Sequence, residues 1–261
     1  MTRSAGGIWA FDFDGTLSHL VPVPSDATLD VACERLLDDL ATDPHQKVAV
    51  ISSRTLDDLM TRIRVDNVIL AGGSGLEWWL PGDGRIGPHW RAAKRREAEK
   101  QRLQPTLRKL GNVPGVVVED KTWSAAVHFR NVALEDRVGV TREIENLRIC
   151  YGATLYYGPE VAEIQFLPEV SKEFALKTFL ALSGAEAAGQ TIVYAGDDQN
   201  DALAMQWVLD RGGVAYIVGD GISLAGAEVV PDPTALARAI RGRLRVVGGT
   251  STHRTGGVVD E

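Results

Sequence analysis

Short apolar runs that alternate with amphipathic helical segments constrain the fold of this chain more than any other feature. The runs lie at 8–11, 47–51, 68–71, 190–195 and 213–218, with helical spacing of apolar residues at 28–40, 56–63, 171–182, 201–208 and 233–244. Strands and helices in alternation are typical of a parallel sheet with helices on both faces. The sequence therefore predicts an α/β fold with a doubly wound parallel sheet.

Two carboxylates, Asp12 and Asp14, end the first apolar run and are followed by Gly15. Alternate residues of a strand point to the same face, so the two side chains begin side by side. Like charges this close repel unless a cation or a shared proton offsets them, and hard oxygen ligands favour magnesium. One carboxylate can also be a nucleophile and the other an acid or base. A plain strand followed by an Asx turn is the alternative interpretation.

Polar residues elsewhere are predicted to lie at the same edge of the sheet. Ser52 follows the second run, where a hydroxyl just before a helix can hold a phosphoryl oxygen or simply cap the helix. Lys172 stands in the first turn of a helix that Ser171 can cap, although the helix dipole disfavours a cation there. We therefore expect Lys172 to have an anion or a carboxylate as its partner. Ligands of such sheets bind at the carboxyl ends of the strands.

Three more carboxylates, Asp197, Asp198 and Asp201, follow the run at 190–195. Asp201 begins a predicted helix, so helix capping explains one of the three. A metal ion shared with the acidic pair explains the cluster. The sequence thus predicts a divalent cation site, with Mg²⁺ as the preferred ion.

The alternation of single strands and helices stops between residues 81 and 166. Helices are predicted there at 91–110 and 136–147, and strands at 115–121, 124–130, 153–157 and 161–167. This pattern predicts an inserted α+β domain over the carboxyl edge of the first sheet, which leaves 1–80 and 167–245 as the large domain. The stretch 246–261 has nothing to bury and is predicted to be a disordered tail.

Polar side chains on the strands of the insertion share one face by period-two counting. They are Glu119, Lys121, Ser124, His128, Arg130 and, on a later strand, Glu163. Each one alone fits an ordinary solvent-exposed position. Acid, base, hydroxyl and imidazole on one face together would suit the binding of a polyhydroxylated ligand.

Composition limits the partners that we expect. The chain has 28 Lys and Arg against 35 Asp and Glu, for a net charge of −7, and no long basic block that would bind nucleic acid. No run approaches about 18 apolar residues, and the first residues lack the apolar segment of a signal peptide. Cys33 and Cys150 lie far apart and fit free thiols in a reducing compartment. We expect a cytoplasmic monomer that binds a small molecule and no nucleic acid or membrane.

Four motifs in a fixed order connect these observations. They are Asp12-Phe13-Asp14-Gly15-Thr16, Ser52, Lys172, and Gly196-Asp197-Asp198 through Asp201. The set resembles the motifs of the haloacid dehalogenase (HAD) superfamily, and the insertion between the second and third motifs looks like a type C2B cap. Within that branch, the insertion is similar to trehalose-6-phosphate phosphatases in Glu119-Asp120-Lys121 with Ser124, in His128-Phe129-Arg130, and in Glu163 followed by Pro168 and Ser171-Lys172. The resemblance extends from Ile8 to about Leu244.

The resemblance implies a HAD-like Rossmannoid core that hydrolyses trehalose 6-phosphate to trehalose and phosphate. Asp12 would attack phosphorus to form an aspartyl-phosphate, and Asp14 would protonate the leaving sugar oxygen and then activate the hydrolytic water. Ser52 and Lys172 would hold and neutralise the phosphoryl oxygens. Charge neutralisation and in-line positioning supply most of the catalysis in phosphoryl transfer.

The resemblance also implies a metal and a substrate site. Mg²⁺ would be bound by Asp12, the backbone carbonyl of Asp14 and Asp197, while Asp198 and Asp201 would orient the ligands. The cap would close over the sugar. The implied substrate-binding residues are Thr16, Gly73, Ser74, Glu119, Lys121, Ser124, His128, Arg130 and Glu163.

Two departures from the family pattern keep alternatives open. The family usually has histidine where this chain has Ser74 before Gly75, and threonine-aspartate-glutamate where this chain has Asn200-Asp201-Ala202. The second form is common in other C2B phosphatases, whereas the first could alter the sugar site. A phosphorylated pseudo-disaccharide, sucrose phosphate or amino-sugar phosphate is therefore an alternative substrate. A non-catalytic regulatory module, comparable to a phosphate-accepting receiver domain, is the alternative from a different functional class.

Overall fold

The computed structural model describes residues 6–88, 90–158, 160–184 and 190–249. The strands are β1 Gly7–Phe11, β2 Gln46–Ile51, β3 Ile69–Gly72, β4 Glu77–Leu80, β5 Gly84–Ile86, β6 Val117–Asp120, β7 Ser124–His128, β8 Thr154–Gly158, β9 Val161–Gln165, β10 Thr191–Gly196, β11 Val214–Val218 and β12 Glu228–Val230. The helices are α1 Val31–Thr42, α2 Leu56–Arg62, α3 Trp90–Gly111, α4 Leu134–Tyr151, α5 Lys172–Leu182, α6 Gln199–Leu209 and α7 Pro233–Gly249.

A large sheet with the strand order β12-β11-β10-β1-β2-β3-β4-β5 forms the core of the chain. All neighbours from β12 to β3 are parallel, and β4 and β5 are added antiparallel at one edge. Helices α1, α2 and α7 contribute to the apolar cluster on one face, and α5 and α6 to the cluster on the other. Every residue of β1 except Gly7 packs into one of these clusters, in alternation. The predicted doubly wound α/β fold is confirmed.

The structure differs from the prediction at three places. The turn at Pro81–Asp83 does not end the large sheet, because it joins β4 and β5 into a hairpin that extends this sheet to Ile86. A further strand, β12, lies beyond the last apolar run at 213–218 and pairs with β11 in parallel. Helix α7 runs to Gly249, beyond the predicted start of a tail at 246, and residues 250–261 lie outside the described residues.

A second, wholly antiparallel sheet has the order β6-β7-β9-β8. Residues of α3 and α4, such as Leu107 and Ile144, pack on one face of it against Val127 and Ile164. The two helices and two strand pairs predicted for the insertion are present. Because strand side chains alternate, the opposite face of this sheet carries the polar residues.

None of the helices in the described part of the chain combines the length and the apolar character needed to cross a membrane.

Candidate active site

An acidic cluster lies at the carboxyl edge of the large sheet. Asp12 follows β1 and Asp197 follows the adjacent parallel strand β10, to which the Asp12 amide donates a hydrogen bond at the Ala195 carbonyl (2.9 Å). Carboxylate oxygens of Asp12, Asp197 and Asp201 lie within 4.8 Å of one another. Asp12 is 4% exposed and Asp201 is fully buried, so this charge is concentrated away from bulk water.

Lys172 is the cation that the acidic cluster holds. It begins α5, its side chain is 3% exposed, and its Nζ lies 2.8 Å from Asp12 Oδ1 and 2.8 Å from Asp201 Oδ1. Burial alone would lower the pKa of the ammonium group, but the two carboxylates raise it well above its usual value. The unfavourable first-turn lysine therefore has the carboxylate partners that its position predicted.

The carboxylates of Asp198 and Asp201 have capping roles that the sequence assigned to only one of them. Asp198 Oδ1 accepts from the Asn200 amide (2.9 Å), and Asp201 Oδ2 lies 3.4 Å from the Asp198 amide, so the two form a capping box at the start of α6. Asp201 also accepts from the Tyr194 hydroxyl (2.7 Å). The expectation that capping explains a single carboxylate was wrong, because Asp198 and Asp201 both accept hydrogen bonds from backbone amides at the start of α6. Asp197 is the one left outside the box.

Lys172 does not neutralise all the carboxylates of this cluster, and the negative charge that is left would suit a divalent cation. Burial raises the pKa of Asp12 well above its usual value despite Lys172, and burial with the charges of Asp12, Asp198 and Asp201 does the same for Asp197. A cation beside these oxygens would remove that penalty. The turn after β1 approaches Asp197 so closely that a Cβ on Gly15 would lie 2.0 Å from Asp197 Oδ2, so glycine lets the backbone after Asp14 lie against this carboxylate. Oxygen donors on a compact cluster suit Mg²⁺.

Ser52 and the Gly73-Ser74-Gly75 turn form a buried support behind the cavity. The Ser74 amide donates to the Ser52 carbonyl (2.8 Å), and the Gly73 amide donates to the Arg54 carbonyl (2.7 Å). Ser74 is 2% exposed with φ of +54°, and a Cβ on Gly73 would collide with Trp123. None of the three residues of this turn lines the cavity, and contact of Gly73 or Ser74 with substrate stays a prediction.

Thr16, which follows the acidic pair, does not line the cavity, so its contact with substrate also stays a prediction. It is fully buried, and its Oγ1 finds no hydrogen-bond partner among the described residues.

A cavity of about 420 Å³ joins the two sheets. From the large sheet it is lined by Asp12, Asp14, Lys172, Asp197 and Asp198, and from the second sheet by Glu119, Lys121, His128, Arg130 and Glu163. Ten of the residues that the sequence singled out thus meet around one space. Ser52, Ser124 and Asp201 stand just behind it, each bonded to a residue of the cavity wall or its supporting loop.

The polar face of the second sheet is cross-linked by Glu163. This carboxylate accepts from Lys121 Nζ (3.1 Å), Ser124 Oγ (2.9 Å) and Gln165 Nε2 (3.0 Å). Burial opposes ionisation of Glu163, but the charge of Lys121 and the hydrogen bonds from Ser124 and Lys121 lower its pKa. Lys121 also reaches Ser53 Oγ (3.3 Å) on the loop after β2, which links the second sheet to the large one.

His128 and Glu119 form a second pair on this face, with His128 Nε2 3.0 Å from Glu119 Oε2. The hydrogen bond with His128 lowers the pKa of Glu119. Arg130 lies beyond the end of β7, although its side chain still lines the cavity. Tyr156 of β8 also lines it and was missed by the sequence analysis, since the run that contains it reads as a plain strand.

Arg54 is a second residue at the cavity that the sequence analysis missed. Its guanidinium makes a bidentate pair with Asp14, from Nε to Oδ2 and from Nη2 to Oδ1, each at 2.7 Å. The signal was present, because Arg54 directly follows Ser52-Ser53 at the end of β2. Nothing in the local pattern showed that its side chain would cross to a carboxylate forty positions earlier.

Comparison with known proteins shows which family this chain is related to. The family model described as Trehalose-phosphatase matches residues 10–219. The chain belongs to the trehalose-phosphatase family. The matched region contains all the residues described above as the candidate active site.

Relatives agree with this membership. A trehalose-phosphate phosphatase of Mycobacterium bovis is 35% identical over 213 residues, which cover 80% of this chain and 52% of that protein. The chain spans about half the length of this curated relative. The alignment thus covers only a portion of the longer mycobacterial protein.

Solved structures share the fold of this trehalose-phosphatase family member at low identity. The C-terminal domain of C. albicans trehalose-6-phosphate phosphatase superimposes with a TM-score of 0.77 at 20% identity, covering 95% of this chain and 93% of that one. The C-terminal domain of the Candida albicans trehalose synthase regulatory protein gives 0.65 at 14% identity, covering 90% and 93%. These likenesses confirm the predicted HAD-like fold. At such low identity they carry no information about the reaction, which is argued below from the site residues.

Proposed function

We propose that this chain is a Mg²⁺-dependent phosphatase that hydrolyses trehalose 6-phosphate to trehalose and phosphate through an aspartyl-phosphate on Asp12. One observation carries the proposal. The buried Asp12 carboxylate, paired with Lys172 at 2.8 Å, opens into a cavity whose opposite wall is polar and belongs to the second sheet. A phosphoryl group held at Asp12 would place an attached sugar against that wall.

Each step of the chemistry has a residue in reach. Asp12 attacks phosphorus as the bond to the sugar oxygen breaks, and Asp14 supplies the proton that this oxygen takes up. Asp14 then accepts a proton from the water that releases phosphate. Lys172 neutralises charge at the phosphoryl oxygens, and Ser52 holds the loop that faces them.

Mg²⁺ would be held by Asp12, Asp197 and the Asp14 carbonyl. When bound it supplies charge neutralisation for the transferred phosphoryl group. Asp198 and Asp201 would orient this site through the capping box rather than by direct contact.

Removal of divalent cations tests this part of the proposal. We expect chelation to lower phosphate release by on the order of 100-fold or more, because the carboxylates then repel the anionic substrate. Added Mg²⁺ should restore the activity and raise the thermal midpoint of the wild-type chain, since an ion that binds only the native state stabilises it. Asp197→Asn should lose most of that rise. Full activity after exhaustive chelation would contradict the metal assignment.

The sugar is assigned from the second sheet, which we propose acts as a cap. Hydroxyl-rich ligands bind to arrays of charged and polar groups, and Glu119, Lys121, His128 and Glu163 present such an array. The curated relative carries the name trehalose-phosphate phosphatase. A phosphorylated pseudo-disaccharide, sucrose or amino sugar is the second candidate, favoured by Ser74 at the position where histidine is usual.

A regulatory role is disfavoured by the site itself. One solved structure that shares this fold carries the name trehalose synthase regulatory protein, which is why a regulatory role is considered. Here, however, Asp12, Asp14 and Lys172 all stand at the cavity, and a module that only accepted phosphate would need neither Asp14 nor a cap. We further propose that the enzyme works as a cytoplasmic monomer with no nucleic-acid or membrane partner.

A substrate panel tests the function as a whole. With Mg²⁺ present, we expect kcat/KM for trehalose 6-phosphate to exceed that for sucrose 6-phosphate, glucose 6-phosphate and an amino-sugar 6-phosphate by at least about tenfold, because cap contacts discriminate at the transition state. A stronger preference for another sugar phosphate would keep the roles of Asp12 and Asp14 and change the substrate. Absence of turnover on every ester, including 4-nitrophenyl phosphate, would contradict the enzymatic proposal.

A further inference from the structure

Two arginines and an aspartate form a ladder along α2 that ends at Asp14. Arg54 Nη1 donates to Asp58 Oδ2 at 2.7 Å, and Asp58 also accepts from Arg62 Nε and Nη2, each at 2.9 Å. Asp58 and Arg62 lie four residues apart on one side of α2, whereas Arg54 precedes Thr55, the N-cap of the helix, and reaches Asp58 from the loop after β2. We refer to Arg54, Asp58 and Arg62 as the arginine ladder.

The ladder is more enclosed than an ordinary surface network. The side chains of Arg54 and Arg62 are 10% and 11% exposed, while that of Asp58 is 34% exposed. Arg54 also stacks over the Phe13 ring, with its Cζ 5.6 Å from the ring centroid. Hydrogen bonds that involve charged groups with little solvent access are stronger and more directional than exposed ones.

The ladder also holds the loop that walls the cavity on this side. Arg54 Nη2 donates to the Pro24 carbonyl (2.8 Å), and Arg62 Nη1 donates to the carbonyls of Ser25 (3.3 Å) and Ala27. Pro24 and Ser25 line the cavity. A shift of the ladder would therefore move both this wall and Asp14.

Both oxygens of Asp14 face Arg54 in the structure. The carboxylate must therefore turn away from Arg54 to reach a leaving sugar oxygen. Arg54 would then keep Asp58 as its remaining carboxylate partner, so the guanidinium would stay in place while Asp14 turns.

We propose that Asp58 is a positioning residue for the acid–base step. It holds the Arg54 guanidinium in place, and Arg54 in turn fixes the position of the Asp14 carboxylate before the step and offers the same partner after it. This inference rests on the proposed function and extends it to a residue outside the four motifs. In the step concerned, the bond from phosphorus to the sugar oxygen breaks, the bond from Asp12 to phosphorus forms, and the sugar oxygen takes the proton from Asp14. Asp58 touches none of the reacting atoms.

Two phosphate esters that differ in whether the leaving group needs a proton can distinguish a loss of Asp14 positioning from a general loss of stability. An alkyl oxygen, as in trehalose 6-phosphate, leaves with a proton, whereas the 4-nitrophenolate of 4-nitrophenyl phosphate leaves without one. Since kcat/KM covers the steps up to the first irreversible one, it reports this difference. A variant that misplaces Asp14 should therefore lose more activity on the sugar ester than on the aryl ester.

The experiment compares Asp58→Ala and Asp58→Asn with the matched change Asp57→Ala. Asp57 is the neighbouring residue in the same helical turn, is 81% exposed at its side chain, and pairs with Arg85 instead. We expect Asp58→Ala to lower kcat/KM for trehalose 6-phosphate about tenfold or more, and for 4-nitrophenyl phosphate by less than about threefold. Asp58→Asn, which keeps one acceptor oxygen, should show a smaller loss with the same selectivity, and it decides the test if the alanine variant does not fold.

Equal proportional losses on both esters, or the same selectivity in Asp57→Ala, would overturn the proposal. If the unaltered chain prefers another sugar phosphate, that ester replaces trehalose 6-phosphate in the comparison. If the unaltered chain cleaves no phosphate ester, the proposed function fails first. The ladder is then judged from crystal structures of the wild-type and Asp58→Ala chains, where an unchanged Arg54–Asp14 pair in the variant would refute it.

Discussion

Replacing Asp12 with asparagine is expected to abolish turnover of trehalose 6-phosphate, with a loss on the order of 10⁴-fold or more. The amide has nearly the shape of the carboxylate but is a poor nucleophile toward phosphorus. Asp12 lines the cavity and lies 2.8 Å from Lys172, so its carboxylate occupies the position from which we propose that it attacks phosphorus. Phosphate release measured at saturating Mg²⁺ checks the prediction.

Covalent trapping shows whether the loss reflects the missing nucleophile. Rapid acid quenching of the wild-type enzyme during turnover should leave one phosphoryl group on the peptide that contains Asp12, and Asp12→Asn should carry none. Asp220→Asn is a matched control, because Asp220 also follows a strand of the large sheet but is exposed. It should retain activity and the labelled peptide. Unchanged hydrolysis by Asp12→Asn would disprove the assignment of the nucleophile.

The main strands of the large sheet could be predicted from sequence, whereas its edges could not. Buried parallel strands such as β1 and β2 are continuous apolar runs, which make their position readable without any tertiary information. β12 has three residues and exists through its pairing with β11, and β5 likewise exists through its pairing with β4. Strands this short are determined by a neighbour that lies far away in sequence or across a turn, so local patterns do not reveal them.

The site divides in the same way. Asp12, Asp14 and Lys172 could be predicted, since each breaks a local rule at a strand or helix terminus and so requires a special partner. Arg54 breaks no local rule, because an arginine before a helix is ordinary in sequence. Its importance comes from the 2.7 Å contacts with Asp14, which the fold alone creates.

Replacing Lys172 with methionine is expected to have the second large effect, on stability as well as activity. Methionine fills a similar volume but leaves Asp12 and Asp201 buried without their shared cation. Removal of one partner from a buried ion pair typically lowers the free energy of unfolding by about 3–5 kcal/mol. Chemical denaturation in the absence of divalent cations measures this loss.

Lys177→Met provides the matched comparison, because Lys177 lies on the same helix α5 and pairs with Glu173 while its side chain is 49% exposed. An exposed pair contributes little, so this variant should stay within about 1 kcal/mol of wild type. Mg²⁺ should restore part of the stability of Lys172→Met, since a cation near Asp12 relieves the same repulsion. It should not restore activity, because Lys172 is also proposed to neutralise the transferred phosphoryl group. Equal destabilisation of the two variants would mean that the buried carboxylates do not depend on Lys172, and full activity of Lys172→Met would remove it from the reaction.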